Sequence, residues 1–338
     1  MADEVTKISD LYDPLVFAQK TQLAQTRANA FIASGIMVED PVLRGNFGPQ
    51  GTTAEINHLN ALTIEEPNYS TDDNTSNAEV DKIGNTTQKV RRSDRNKHYS
   101  VMHLAQMVGL GDPVDGITNQ LGSYWASDNQ KRLVNTAIGI KADNKANDSN
   151  DMTQTHANID AVAAVVDADR ISSTVVAQAK NTLGDMQGMI TAMAVHSTVF
   201  TRLRILKAAL DIHDPETGRL LFTEFDGLRL VVDDDLVTAG TNRSIYTCVL
   251  FGRGAVGYTD LPVLKPSSIY DKEESGDGGG ERRIASRVAN AIHPYGFSYV
   301  GTPANGRSAT YSELATATHW DRIIPRKNIA LAFLEVND

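Results

Sequence analysis

The chain has 338 residues, of which 41% are hydrophobic and 22% charged, a balance that excludes a disordered or fibrous protein. Its 32 basic and 42 acidic side chains give a net charge of −10, which repels a phosphate backbone and disfavours a protein whose whole surface binds nucleic acid. The single cysteine, Cys248, excludes an intramolecular disulfide and a cysteine-based zinc or iron–sulfur site.

The first residues lack the basic and then apolar layout of a signal peptide, and no apolar run approaches the ~20 residues that span a bilayer. The sequence therefore predicts a protein that is made in the cytoplasm and has no membrane partner.

The dipeptide Asp13-Pro14 predicts a helix start, because aspartate is a favourable N-cap and proline is tolerated at the first helical position. Gly35 predicts the end of this helix. We expect an N-terminal arm whose helix carries one apolar stripe. The predicted stripe includes Phe17, Leu23 and Phe31.

Between residues 46 and 96 the chain is polar, with few large apolar residues and two short β-like pieces at 54–64 and 80–92. Such a segment is uncommonly long for a loop inside a compact domain. It predicts a projecting β-hairpin or a disordered segment whose role is to contact something else.

Helical spacing then predicts a short helix over 101–108 and a long one from Pro113 to about Lys141. The polar run 144–151 predicts a loop and a domain boundary. Beyond it, helices predicted at 173–188 and 198–210 alternate with several strands, and the glycine-rich run 275–280 is a second break. Further predicted elements are strands at 191–195, 220–223, 228–232, 245–251, 283–292, 296–300 and 329–336, and a short helix at 311–318.

The run Gly252 to Gly257 reads G-x-G-x-x-G, which in a dinucleotide-binding unit opens a helix that holds a pyrophosphate. Pro262 and Pro266 fall where that helix would lie, so a glycine-rich turn leaving a sheet is the better interpretation.

The acidic runs do not match a metal-binding loop. The spacing of Asp143, Asn147, Asp148 and Asp151 lacks the glycine and glutamate of an EF-hand, and 233–235 reads as a solvated turn. No serine-hydrolase elbow or zinc-binding histidine pair is present, and Cys248 lies in an apolar strand where burial would make it inert. The sequence therefore predicts neither an enzyme nor a cofactor.

The densest basic run contains four cationic residues, and three interpretations of it remain open: a solvated strand, contact with an acidic patch on a neighbouring subunit, or contact with nucleic acid. These residues are Arg91, Arg92, Arg95 and Lys97. We take them, with the apolar stripe of the arm, as candidate subunit contacts.

In order and spacing, six segments of the chain resemble the major capsid proteins of tailed bacteriophages, which have the Hong Kong 97 fold. No single segment is a chemical signature, and their joint order carries the resemblance. The segments are Tyr99 to Gly139, AVHSTVFTRL from Ala194, GLRLVVDDDL from Gly227, YTCVLFGRGAVG from Tyr246, HPYGFSYVG from His293 and ELATATHWDRIIPRKNIALAFLEV from Glu313.

The resemblance implies an α+β fold in four parts. These are an N-arm (1–48), an extended β-hairpin E-loop (49–98), a P-domain with a long spine helix (99–150 and 282–338) and a mixed α/β A-domain (151–281). It also implies a structural, non-enzymatic subunit that self-assembles as hexamers and pentamers into an icosahedral shell around double-stranded DNA. The virion capsid is then its location, with assembly in the bacterial cytoplasm.

The resemblance further implies a portal and possible decoration proteins as partners. Because the arm begins at residue 1, we expect scaffolding from a separate protein. Lys82, Lys89 and Lys97 match no crosslinking motif, so no covalent bond between subunits is predicted. Two alternatives remain: an encapsulin-like bacterial compartment with protein cargo and, more remotely, a nucleotide-dependent enzyme using the run 252–257.

Overall fold

A computed structural model describes most of the chain. The described residues are 30–47, 51–60, 62, 65–72, 75, 77–108, 113–155, 159–162, 164–206, 209–213 and 220–337. Phe17 and Leu23 of the predicted apolar stripe lie outside them.

Within the described residues the α-helices are α1 Ala30–Ala33, α2 Pro41–Asn46, α3 His103–Val108, α4 Pro113–Asn147, α5 Ser173–Asn181, α6 Ser197–Ile205 and α7 Tyr311–Leu314. Short 3₁₀ turns are formed by Asp167–Asp169, Gly184–Met189, Ala317–His319 and Arg326–Asn328. The strands are β1 Met37–Glu39, β2 Thr53–Leu59, β3 Asn85–Arg91, β4 Ser93–Met102, β5 Thr153–Thr155, β6 Ile190–Val195, β7 Leu210–His213, β8 Leu220–Phe225, β9 Leu228–Val232, β10 Val237–Ala239, β11 Ser244–Gly252, β12 Val256–Asp260, β13 Ser267–Lys272, β14 Glu281–Pro294, β15 Phe297–Tyr299, β16 Trp320–Arg322 and β17 Leu331–Val336.

An eight-stranded mixed sheet forms the centre of the molecule, in the order β5-β17-β11-β6-β9-β8-β7 with β10 paired to β11. Successive side chains of a strand point to opposite faces. In β17, accordingly, Phe333 enters the core between the sheet and α4, whereas Leu334 enters the core beneath α5 and α6. The sheet is therefore covered by helices on both faces, which explains its nearly continuous apolar strands.

A second, five-stranded sheet is organised around β14. This strand pairs with β4 on one side and with β12 and β13 on the other, all antiparallel. The strand predicted at 283–292 is thus confirmed and runs from Glu281 to Pro294.

The long helix α4 is confirmed but ends at Asn147, about 50 Å from its start at ~1.5 Å per residue. The predicted loop at 144–151 is wrong over its first four residues. Asn144 is buried, accepts a hydrogen bond from the Met152 amide at 3.1 Å and donates one to Asp151 at 2.7 Å, so a polar residue caps the helix end. Ser149 and Asn150, both with left-handed φ, then turn the chain.

Several element ends also differ from prediction. The helix predicted to reach 188 stops at Asn181, before Gly184 takes a positive φ, and the helix predicted to reach 210 stops at Ile205. Helix α3 begins at His103, because β4 continues its pairing with β14 to Met102. Leu210, the last residue of the helix predicted at 198–210, instead begins edge strand β7.

The two sheets do not follow the four-part division of the chain that the resemblance implies. Strand β17 falls in the segment 282–338, yet it lies between β5 and β11 in the eight-stranded sheet, whose other strands come from 153–252. By its hydrogen bonds, β17 belongs with the body that contains that sheet.

Candidate subunit interface

Strands β2 and β3 form the antiparallel hairpin that the sequence predicted, in a sheet of their own. The Arg92 amide donates to the Thr52 carbonyl at 2.9 Å, and the Lys89 amide donates to Ser298 Oγ at 3.0 Å. Seven apolar residues from the hairpin base and the body form one buried cluster, so the base is fixed to the body. They are Leu43, Phe47, Ala54, Val90, Leu261, Ala289 and Ala291.

Beyond its base, the hairpin exposes apolar side chains and makes few contacts with itself. Val80 is 90% exposed and Leu62 is 74% exposed. The described part of this extension is held across its width by Asn68, which donates to the Glu79 carbonyl at 3.0 Å and accepts from the Glu79 amide at 3.4 Å. Leu59, Tyr69 and Ile83 are also exposed. A clustered apolar surface of this kind is typical of an interaction site.

The basic run is not a solvated strand at two of its four cationic positions. Arg92 is buried, and its guanidinium donates to Asp94 at 2.8 Å and to the Pro262 carbonyl at 3.0 Å. Arg95 forms an ion pair with Asp128 of α4, and its burial lowers the pKa of the guanidinium to about 9. These two arginines hold the hairpin base and α4 against the body.

The other two cations lie nearer the surface. Arg91 donates to the carbonyls of Gly306 and Arg307, at 2.9 and 3.2 Å. Lys97 is exposed, with its ammonium 5.9 Å from the centroid of the Tyr124 ring. A role of these four residues in subunit contact stays a prediction, and Lys97 offers the most accessible charge for it.

Phe31 lies inside its own subunit, although the sequence placed it on a stripe for neighbours. It is 1% exposed and packs edge-on against Phe251, with ring centroids 6.0 Å apart. A spacing rule identifies an apolar stripe but not what covers it, and here the eight-stranded sheet covers Phe31.

The glycine-rich run is a turn between β11 and β12, as predicted. Gly254 takes a left-handed φ of 65° in this turn. A Cβ on Gly252 would lie 2.5 Å from the Cβ of Ala330, so close packing explains that glycine. No helix follows the turn, and a pyrophosphate has no helix N-terminus here to bind.

The acidic runs are engaged by side chains of the same chain. Arg322 donates to Asp151 at 2.8 and 3.0 Å and pairs with Asp148 at 3.1 Å. The prediction of a solvated turn at 233–235 is wrong for Asp233, which is buried and accepts a hydrogen bond from Gln130 of α4. Cys248 is fully buried as predicted, and burial raises the pKa of its thiol to about 12.

A second exposed apolar patch was missed by sequence reasoning. It gathers at the edge of the eight-stranded sheet, where α6 ends and β7 and β8 begin. Its members are Ile205, Leu206, Leu210, Leu220 and Leu221. The helix predicted at 198–210 included the first part of this region. The signal that could have ended that helix earlier is the pair of short apolar runs, 205–206 and 208–210, on either side of Lys207. Among the described helices, none is long and apolar enough to span a membrane.

Comparison with known proteins gives a consistent result. No protein-family model matches the chain. The major capsid protein of Bacillus phage SPP1 is 24% identical over 329 residues, which cover 96% of each chain. The capsid of Ralstonia phage GP4 superimposes with a TM-score of 0.58 at 11% identity, over 90% of this chain and 88% of that one.

An encapsulin has the same fold. The SrpI encapsulin of Synechococcus elongatus gives a TM-score of 0.50 at 10% identity over 95% of both chains. At such identities the superpositions establish a capsid-like α+β fold alone, and the sequence similarity to a phage protein is what separates the two kinds of shell. The prediction from the sequence is thus confirmed as a similarity to the major capsid protein of one such phage over 96% of the chain, together with a capsid-like fold.

Proposed function

We propose that the chain is the repeating subunit of a closed icosahedral shell, built from hexamers and pentamers, that encloses the double-stranded DNA of a phage. The observation that carries the proposal is the hairpin, whose base is fixed in the body while its extension exposes apolar side chains. Apolar surface that a subunit exposes and cannot cover is stabilised when another copy buries it. The chain then acts structurally, by self-association and without a cofactor.

The four-part division applies to this chain with one change. The N-arm (1–48) and the hairpin, as E-loop (49–98), would reach neighbouring subunits. Helix α4 would be the spine of the peripheral P-domain, and 151–281 the axial A-domain. We assign β17 to the A-domain because of its place in the eight-stranded sheet.

The charge of the chain suits a container. A net charge of −10 limits binding of the protein to phosphate, so DNA can be packed inside without adhering to the wall. We propose the virion capsid as its location and the bacterial cytoplasm as the place of assembly. A separate scaffolding protein, a portal and possible decoration proteins would be its partners besides other copies.

An encapsulin-like compartment is the second candidate, favoured by the encapsulin superposition. The contents of purified particles separate the two. Nuclease-protected double-stranded DNA supports the phage shell, whereas a folded enzyme as the main content supports the compartment.

The test of the proposed function removes the hairpin extension. Residues 60–84 are replaced by Asn-Gly, which joins β2 to β3 in a tight turn. A longer deletion of 52–96 would also remove Ala54, Val90 and Arg95 from the packed base, so that unfolding could not be told from failed assembly.

Sedimentation velocity and negative-stain electron microscopy of the full-length chain, with and without the other proteins of its virion, are compared with the deletion variant. We expect megadalton closed particles from the full chain and a folded, soluble species from the variant, with circular dichroism checking the fold. Normal shells from the variant would overturn the role given to the hairpin, and a full chain that stays monomeric with its virion partners would overturn shell formation.

A further inference from the structure

A small cavity, partly open to solvent, lies where the hairpin base, α4 and β14 meet. It is lined by Arg91, Arg92 and Ser93 from the hairpin side, Arg132 from α4, and Asn290 and His293 from β14. Its volume of about 30 Å³ leaves room for one or two species the size of water. The wall is strongly cationic for so small a space.

Arg132 is the unusual group in this wall. Its side chain is 7% exposed, and within the described part of the chain its guanidinium has no hydrogen-bond or ion-pair partner. Burial lowers its pKa to about 10, so the side chain remains charged at neutral pH. Solvent still reaches the nitrogens of this largely buried guanidinium, so a small anion from solution can pair with it.

The neighbouring carboxylates are already engaged. Asp94 pairs with Arg92 at 2.8 Å and with Arg307 at 3.0 Å. Asp128 pairs with Arg95 and accepts a hydrogen bond from Tyr311. No carboxylate is found among the described residues that line the cavity, and Asp94 balances Arg92 alone, so the charge of Arg132 has no counter-charge in the wall.

The histidine of the wall adds no charge of its own. Burial lowers the pKa of His293 to about 3, so its ring is neutral at pH 7, and its Nε2 lies 2.9 Å from the side-chain oxygen of Gln88. The arginines therefore supply all the charge of the wall.

Two further polar atoms at the cavity lack partners. Ser93 Oγ and Asn290 Oδ1 are buried and make no hydrogen bond. The Ser93 hydroxyl is a second donor beside Arg132, whereas the Asn290 oxygen is an acceptor that a water molecule would satisfy. The cavity thus offers donors for one anion and an acceptor for one water.

We propose that this cavity binds a small inorganic anion of the size of chloride, held by Arg132 and Ser93. The volume excludes polyatomic anions with bulky substituents. The bound anion would join α4 to the hairpin base and to β14. This site does not depend on shell formation, and its test is independent of the assembly test.

Thermal unfolding of the full-length chain provides the first measurement. Sodium gluconate, whose anion is too large for the cavity, is replaced stepwise by sodium chloride or bromide at constant ionic strength. Because a ligand that binds only the folded state stabilises it, we expect the Tm to rise saturably by about 2–4 °C. Arg132→Met should abolish this response, and Ser93→Ala should shift its midpoint to higher chloride.

Arg253→Met is the matched control, since it removes the same charge from an exposed position and should keep the full response. A rise that is equal in wild type, Arg132→Met and Arg253→Met would reflect bulk salt and would overturn the proposal. If Arg132→Met does not fold, crystals of the wild type grown in bromide decide: an anomalous peak within hydrogen-bond distance of Arg132 supports the site, and a cavity without one excludes it.

Discussion

The hairpin and the eight-stranded sheet differ in whether their apolar side chains are covered by the same chain. In the sheet, β17 is buried on both faces between helices of the same chain. In the hairpin, Ala54 and Val90 are buried at the base, whereas Leu62 and Val80 further along face solvent. One chain therefore combines a sheet whose central strand is covered by its own helices with an extension whose apolar side chains are exposed.

The difference separates stability from assembly. Substitutions in the body should lower the free energy of unfolding of each subunit, and substitutions in the extension should leave it unchanged and act only when copies meet. The three predictions below test this separation, from the largest expected effect on stability to the smallest.

Phe333→Ala should have the largest effect. Phe333 is fully buried in the strand between β5 and β11, and removing a buried phenyl ring leaves a cavity that costs about 3–5 kcal/mol. Urea unfolding of the unassembled chain measures the loss. A cost below about 1 kcal/mol would show that this strand is not central to the body.

Gly139→Ala should destabilise the chain by about 1–3 kcal/mol, although alanine favours helices. A Cβ at this position in α4 would lie 2.0 Å from the Leu314 carbonyl oxygen and 2.7 Å from Trp320 Nε1. The Trp320 Nε1–H donates a buried hydrogen bond to that carbonyl, and the new Cβ would disrupt it. The control is Gly122→Ala in the same helix. Its Cβ would meet nothing within 4 Å, so this variant should gain up to about 1 kcal/mol.

If both glycine variants were stabilised in urea unfolding, α4 would not be packed against the Trp320 region as described. If both were destabilised, helix propensity would be overridden along the whole of α4.

The double variant Leu62→Ser/Val80→Ser should have the smallest effect on stability, within about 0.5 kcal/mol, because both side chains are already exposed in the single subunit. Shell yield, measured by sedimentation, should nevertheless fall. The matched control changes the same two residue types on the body, Leu264→Ser/Val162→Ser, where the side chains are 97% and 88% exposed. Equal loss of shells in both double variants would mean that the extension has no special role.

The elements that could be predicted from sequence are those with local signals. Helix α4 begins at a proline, the hairpin is bounded by turn residues, and Gly35, with a φ of 78°, ends the first helix. The turn at 252–257 was also predictable, because nearby prolines exclude a helix.

The predictions that were wrong concern residues whose surroundings are set by contacts between distant parts of the chain. Arg95 reads as a surface cation until α4 brings Asp128 to it, and Phe31 reads as a contact residue until the sheet covers it. The sequence did not identify the exposed apolar side chains of the hairpin extension as a surface, because single leucines and valines scattered in a polar segment do not form a periodic pattern. The order of the strands in the large sheet likewise has no local signal.

The position of β17 near the end of the chain determines when the eight-stranded sheet can be completed during synthesis and folding. The hydrogen bond from Thr155 to Glu335 joins residues separated by 180 positions, and contacts of such long range form late in folding. During translation β5 and β11 are made first and stay without the strand that joins them. Only a chain made through residue 336 can complete the eight-stranded sheet, and a copy terminated before β17 lacks the strand that joins β5 to β11.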